Sequence, residues 1–290
     1  MKVLLLGANG QLGMDIQRAR AFFPEFVLEA CLRDELDVSS LENMKKVLGE
    51  KSFDVLINCT SYHKTDEVES HADRGFLINA FAVKAMAEIC RDKKARFVHI
   101  STDYVFGGNN TSQPLTEESS PAPLNIYGVS KYLGEILARN TYQDTVIFRV
   151  ASLFGISGSS GKGGNFIETM IRLAKEKGQV KVVSDQHMSP TSTMDIAEMI
   201  FKFLRANGPA GIYHAVNGGE ATWFELAKTA IELSGINAIV QPILASEFPT
   251  PAMRPGYSVL SNAKLVKVIG PIRNWREALS DYLKSKGHLV

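Results

Sequence analysis

Seven residues near the start, Gly7-Ala8-Asn9-Gly10-Gln11-Leu12-Gly13, constrain this chain more than any others. Lys2 to Leu6 in front of them is a short apolar run of β type, and behind them Leu12, Ile16, Ala19 and Phe23 recur at i, i+4, i+7 and i+11, one face of an amphipathic helix. The glycines permit a tight turn and close backbone approach. The first N–H groups of the helix have no partner within it and offer partial positive charge to an anion. Strand, glycine turn and helix together are the setting that a dinucleotide pyrophosphate requires. The spacing is G-x-x-G-x-x-G rather than G-x-G-x-x-G, a variant of that turn. Gly7, Gly10, Gln11, Leu12 and Gly13 are thus expected to cradle the cofactor. The competing reading is a turn that only joins a strand to a helix.

The rest of the first half repeats the alternation. Phe26 to Leu32 reads as a second strand, ending in Arg33 and then Glu35-Leu36-Asp37-Val38. At this tip an acidic side chain would accept from a ribose 2′-hydroxyl, whereas Arg33 suits a 2′-phosphate. That favours NADPH, with NADH still open, and puts Asp37 and Val38 near the adenine edge. Ser39 to Glu42 carries a capping-box pattern for the next helix. Asp54 to Thr60 is a near-continuous apolar run, as a strand covered on both faces requires. The polar loop after it lies where open α/β sheets bind ligands, so Cys59, Thr60, Ser61 and Tyr62 are expected along the cofactor. His63 in that loop reads as a surface or substrate-orienting residue rather than a base. A helix over 74–92 carries Asn79 among apolar neighbours, either as a buried amide bonded to backbone or as a group that binds cofactor or orders water. Arg96 to Ile100 is a further buried strand, leading into Ser101-Thr102-Asp103-Tyr104.

A long proline-bearing stretch, Gly108 to Asn125, then delivers the chain to a helix over 127–140, and Thr145 to Val150 is the next strand. Strands and helices alternating at this spacing predict an α/β fold with a doubly wound, parallel, Rossmann-type sheet. From Ala151 the pattern changes. Gly155 to Gly164 is a glycine loop, Asn165 to Lys177 a helix and Gln179 to Val183 a strand. A helix over 193–206 and a strand at Ile212 to Val216 lead back to the main sheet, and Thr222 to Glu225 opens another capped helix. The breaks divide the chain into a dinucleotide domain, 1–150 with 180–216, and a smaller α/β substrate domain, 151–179 with 217–290.

Tyr127 and Lys131 head the helix after the long loop, four residues apart and so on one face. An ammonium held near a phenol favours the phenolate and lowers its pKa, making it a usable proton donor at neutral pH. The same spacing recurs at Tyr282 and Lys286, on a polar C-terminal helix without such surroundings, and there it is expected to be inert.

Other classes are excluded by bulk properties. Across 290 residues, 32 basic side chains face 31 acidic ones, which gives no electrostatic case for nucleic acid or an anionic membrane. No apolar run approaches the roughly 20 residues of a membrane span, and the N-terminus reads as a strand and turn rather than a signal peptide. Three widely spaced cysteines, Cys31, Cys59 and Cys90, fit free thiols in a reducing cytoplasm. The six histidines show no metal-ligand spacing, so no metal is assigned.

The GANGQLG turn, Leu36-Asp37, Asp66-Glu67-Val68-Glu69, STDYVF at 101–106, PLNIYGVSK at 123–131, Ile147-Phe148-Arg149, Asn165-Phe166, Asp185-Gln186, Pro190-Thr191 and PTPAMRP at 249–255 occur in this order over nearly the whole chain. Together they resemble the extended short-chain dehydrogenase/reductase family and, within it, the dTDP-4-dehydrorhamnose reductase family. The resemblance implies that Tyr127 is the proton donor, that Lys131 lowers its pKa and binds the cofactor ribose, and that Thr102 hydrogen-bonds the substrate carbonyl. Hydride would pass from the nicotinamide to the C4 ketone of dTDP-4-dehydro-L-rhamnose. Tyr62, Asp103 and Arg254 would orient substrate or cofactor, and a homodimer is allowed. Ser152 stands where these reductases usually carry Trp, which removes an aromatic wall against the sugar. The alternatives are a related 4-keto nucleotide-sugar reductase, dehydratase or epimerase, or a non-catalytic subunit like the regulatory subunit of methionine adenosyltransferase. Dehydratases usually place Glu where this chain has Tyr104.

Overall fold

Six strands, all parallel, make the main sheet: β1 (Lys2–Leu6), β2 (Val27–Cys31), β3 (Val55–Asn58), β4 (Arg96–Thr102), β5 (Thr145–Val150) and β6 (Gly211–His214). They run in the order β2-β1-β3-β4-β5-β6 in a computed structural model that describes residues 1–109, 111–158 and 164–289. Residues 159–163 of the expected glycine loop lie outside the described residues. The central strands are buried along nearly their whole length, because helices cover both faces and leave no side of the pleat for polar residues. Helices Gln11–Ala19 and Thr193–Arg205 pack on one face through Ile16, Ile200, Phe201 and Phe203. On the other face Met44, Leu48, Val83 and Met86 come from helices Leu41–Glu50 and Ala82–Lys93.

The chain leaves β1 for β2 on one side and returns to β3 on the other, so a crevice opens at the carboxyl ends of β1 and β3. Gly7 sits in that crevice with φ +76°, and a Cβ there would lie 2.9 Å from the Cys59 carbonyl carbon. Only glycine lets the loop after β1 pass so close to the loop after β3.

Of three local readings, two change in three dimensions and one holds. Ser40 caps helix Leu41–Glu50 without a side-chain hydrogen bond, and Ser39 instead bonds Asp37 through its N–H (2.9 Å) and hydroxyl (2.8 Å). The capping box at Thr222 and Glu225 does form, with reciprocal bonds of 3.1 and 2.8 Å. The helix expected over 74–92 is two α-segments, Ala72–Phe76 and Ala82–Lys93, joined by a π-turn at Leu77–Phe81.

Gln179–Val183 does not join the main sheet. It pairs in parallel with Ile239–Ile243, and its side chains alternate between buried and exposed as a strand covered on one face must. The expected division at 180 therefore falls too early, since the return to the main sheet runs through helix Thr193–Arg205. Helices Phe166–Lys177, Trp223–Leu233 and Trp275–Ser285 pack on this smaller unit around Ile171, Leu226, Trp275 and Leu279.

Candidate active site

A cleft of about 920 Å³ runs along the carboxyl ends of the main strands and is closed on its far side by Asn165, Phe166, Thr169 and Trp223 of the smaller unit. At one end lies the glycine turn. A Cβ on Gly13 would stand 2.2 Å from the Gly7 carbonyl oxygen, so glycine is what lets helix Gln11–Ala19 start hard against the turn. Gly10 caps that helix with no side-chain bond, which leaves its first N–H groups without a capping partner among the described residues. The Nε2 of Gln11 is buried and also lacks a partner among the described residues. Unpaired buried donors at a helix N-terminus suit a pyrophosphate, so the residues present fit a dinucleotide.

Arg33, Asp37 and Val38 line the same end. The exposed Arg33 guanidinium reaches Asp37 at 3.4 Å. Partial burial pushes the Asp37 carboxyl up, but the Ser39 hydrogen bonds and the Arg33 charge outweigh it and hold the group below its usual value. With Asp37 committed to Ser39, Arg33 is the group at this end with N–H donors to spare.

Midway along, Cys59, Thr60, Ser61 and Tyr62 follow β3, and His63 also lines the cleft. Burial pushes the Cys59 thiol up to about 12, which makes it an inert neutral group. Asn79 does not line the cleft. Its amide oxygen accepts from the Tyr62 N–H (2.9 Å) and the Ser61 hydroxyl (3.1 Å), and its nitrogen donates to the Tyr62 carbonyl (3.2 Å) and Ser130 (3.0 Å). All its bonding capacity is spent on protein. It is held in the π-turn, a helix irregularity often found near sites, and it fixes the loop from behind rather than meeting a ligand.

At the other end Thr102, Asp103, Tyr104, Tyr127 and Lys131 converge. Asn125 caps helix Ile126–Thr141 by accepting from Gly128 N–H at 2.8 Å, and its nitrogen donates to the Met253 carbonyl at 2.8 Å. A Cβ on Gly128 would meet the Tyr104 carbonyl oxygen at 2.2 Å, so this glycine seats the helix against the end of β4. The Tyr127 ring meets Tyr104 edge-on, 5.8 Å between centroids. Burial pushes the Tyr127 phenol up to about 12 against hydrogen bonds with Thr102 and Ser61, so the group is protonated at neutral pH. Asp103 is buried, accepts from Ser258 (2.7 Å) and Thr102 (3.1 Å), and is raised to about 6 by burial in spite of those bonds.

Lys131 departs from the sequence reading. Its Nζ turns into the sheet, donating to the Ile100 carbonyl at 2.6 Å and lying 3.2 Å from His99 Nε2. It is not among the groups that shift the Tyr127 phenol, which here is raised rather than lowered. The i, i+4 relation puts both side chains on one helix face, but the long Lys stem reaches past the phenol to the strand beneath. Burial lowers the ammonium to about 8, against the favourable charge of Glu135.

Arg254 stands just outside the main cleft, in a small adjoining hollow with Gln186, His187 and Trp223. It pairs with Asp66 at 2.8 Å and lies over the Tyr104 ring at 6.0 Å. Ser152 lines both spaces and has φ +44°. Trp223, which also borders both, was not anticipated, and as the first residue of a capped helix it carries no sequence signal for a wall. Tyr282 lies away from the cleft. Its hydroxyl is tied to Glu168 and accepts from Asn165 at 3.0 Å within the core of the smaller unit. His99 was missed altogether, although a histidine inside the buried run Phe97–Ile100 is a signal in itself.

A family model described as the RmlD substrate binding domain matches residues 1–287. This chain belongs to that family. The chain is 37% identical over 98% of its length to the spore coat polysaccharide biosynthesis protein SpsK of Bacillus subtilis, again over 98% of that protein. It is 35% identical to a dTDP-4-dehydrorhamnose reductase of Burkholderia thailandensis, over 96% of this chain and 97% of the relative. Among solved structures, a dTDP-4-dehydrorhamnose reductase from Bacillus anthracis in complex with NADP superposes with a TM-score of 0.91 at 34% identity, covering 98% of this chain and 99% of that one. The RmlD-family fold thus extends over both the main sheet and the smaller unit.

Proposed function

We propose that this chain is an NADPH-dependent reductase of the C4 ketone of dTDP-4-dehydro-L-rhamnose, yielding dTDP-L-rhamnose. One observation supports this most: the Tyr127 phenol, protonated at neutral pH, lies with Thr102 in the same cleft as a glycine turn whose helix N-terminus carries donors unpaired among the described residues. Gly7 to Gly13 would hold the pyrophosphate, Arg33 the 2′-phosphate, and Cys59 to Tyr62 the middle of the dinucleotide. Bound NADPH supplies hydride. Tyr127 gives its proton to the developing alkoxide, and a phenol held neutral up to about pH 12 is available as a donor at neutral pH. Thr102 fixes the carbonyl oxygen by turning its hydroxyl proton from Asp103 to the substrate, where charge develops. Phe166 and Trp223 give an apolar wall and exclude water on the side of the smaller unit.

Ser152 carries a second reading, because a small residue there leaves room for another 4-keto sugar nucleotide. A dTDP-4-keto-6-deoxy-D-glucose reductase of Streptomyces niveus is 33% identical over 96% of this chain. The test is NADPH oxidation with enzymatically prepared dTDP-4-dehydro-L-rhamnose beside other 4-keto sugar nucleotides. The highest kcat/KM on the rhamnose precursor upholds the first reading, and a higher value on another sugar installs the second. Reduction of none, with NADPH bound, would sink both.

A further inference from the structure

Behind Lys131 lies a buried chain of polar groups whose hydrogen positions can be deduced. Asn58 Oδ1 accepts from the Thr60 backbone N–H at 2.9 Å and from its hydroxyl at 2.6 Å. A backbone N–H can only donate, so the oxygen of this amide must face Thr60 and the Nδ2 must face His99 Nδ1, 3.1 Å away. His99 Nδ1 is therefore an acceptor. The imidazole is wholly buried, and burial drives its pKa well below the ordinary value, so it is neutral. Its single proton must sit on Nε2, and that N–H points at Lys131 Nζ, 3.2 Å away.

Two donors cannot face each other at that distance. An ammonium has three N–H donors and no lone pair, whereas an amine has a lone pair that accepts. We propose that His99 is a positioning residue that parks Lys131 as an uncharged amine in the free enzyme at mildly alkaline pH, and that cofactor binding there releases this side chain into the cleft with uptake of one proton from solvent. The proton adds to the amine lone pair, giving an ammonium with no other bond made or broken. Charging Lys131 in place would need the imidazole proton on Nδ1, where it would meet the Asn58 Nδ2 donors, and Asn58 cannot turn without burying the Thr60 N–H unpaired.

The other groups facing Lys131 do not supply the compensation. Glu135, one turn along the same helix, is committed to Arg149 at 2.6 Å and Ser101 at 2.5 Å. Cys59, from the end of β3, stays a neutral thiol up to about pH 12. Tyr127, on the cleft side of the helix, is equally neutral. Lys131, lowered to about 8 by burial, is the one of these groups that titrates just above neutrality.

The inference rests on the reductase reading for its second half and stands on the free chain for its first. With 15N-histidine labelling, the free protein at pH 9 is expected to show His99 as the Nε2–H tautomer, and an Nδ1–H tautomer there would overturn the proposal. Calorimetry of NADPH binding at pH 9, in buffers of different ionisation enthalpy, should show uptake approaching one proton per site, with Kd weakening up to about tenfold per pH unit above about pH 8. Lys131→Met should abolish the uptake. His99→Gln, whose carbonyl can accept from an ammonium, should flatten the Kd profile through pH 9. Uptake that is absent in the native protein, survives Lys131→Met or is unchanged in His99→Gln would each refute the release. Failure to bind NADPH at all would refute the reductase reading and the release together, while the tautomer would still decide the parked state.

Discussion

Glu135→Gln tests how the floor of the site is held. The Glu135 carboxylate accepts from Arg149 Nε at 2.9 Å, Arg149 Nη2 at 2.6 Å and the Ser101 hydroxyl at 2.5 Å, with both charged side chains almost fully buried. The guanidinium rests 5.0 Å above the Phe106 ring, and its Nη1 already lacks a partner among the described residues. Glutamine keeps the shape but removes the countercharge, and its amide nitrogen must turn toward either a donor or Ser101. Breaking a buried pair from one side costs about 3–5 kcal/mol, chiefly the cost of the stranded charge. For a chain of this size, at about 2 °C per kcal/mol, the midpoint should fall by roughly 6–10 °C. Glu135→Leu combined with Arg149→Met removes both charges and should restore stability to within about 1–2 kcal/mol of the native protein. Thermal and urea unfolding followed by circular dichroism measure both. A loss below about 1 kcal/mol in Glu135→Gln, or a double variant as unstable as the single one, would refute the reasoning.

Tyr127→Phe should lower kcat by about 10²–10⁴-fold with NADPH affinity within about twofold, as read by NADPH oxidation and fluorescence titration. Tyr282→Phe should leave kcat near native while costing about 1–3 kcal/mol, because Asn165 and Glu168 each lose a buried partner; a loss of turnover there with Tyr127→Phe active would reverse the assignment. Arg33→Ala should weaken NADPH by about 10–100-fold, the worth of a charge-assisted contact, and NADH by less than about threefold. Asp103, raised from 3.8 to about 6, binds its proton more tightly in the native state, so its contribution is intact below about pH 4 and is lost as pH rises past 6. Asp103→Asn should therefore stabilise at pH 8 by up to about 3 kcal/mol, at ~1.4 kcal/mol per pH unit, and by little at pH 4; equal effects at both would contradict the burial argument.

The parallel sheet was legible because each central strand is buried on both faces and therefore reads as an unbroken apolar run. The glycine turn was legible because steric need leaves few alternatives. Lys131 was not, since the spacing to Tyr127 states which helix face the two share but not how far the stem reaches, and its partner His99 lies 32 positions earlier on a strand. Gln179–Val183 was read as a strand but its placement was not, because its partner lies about 60 positions later and no local pattern distinguishes joining the main sheet from founding a small one. Asn79 was legible as a buried amide, and only the loop it holds, 17 positions before it, decided between its two readings.

The segment 252–258 fastens the mouth of the cleft through Asp66 to Arg254, Asn125 to Met253 and Asp103 to Ser258. Asp103 and Ser258 are 155 positions apart. At translation rates of about 5–20 residues per second, the end of β4 waits roughly 8–30 s on the ribosome before its clasp is made. A nascent chain can therefore assemble β1 to β5 while its chemistry remains unlatched, and competence arrives with the last few dozen residues rather than with the sheet.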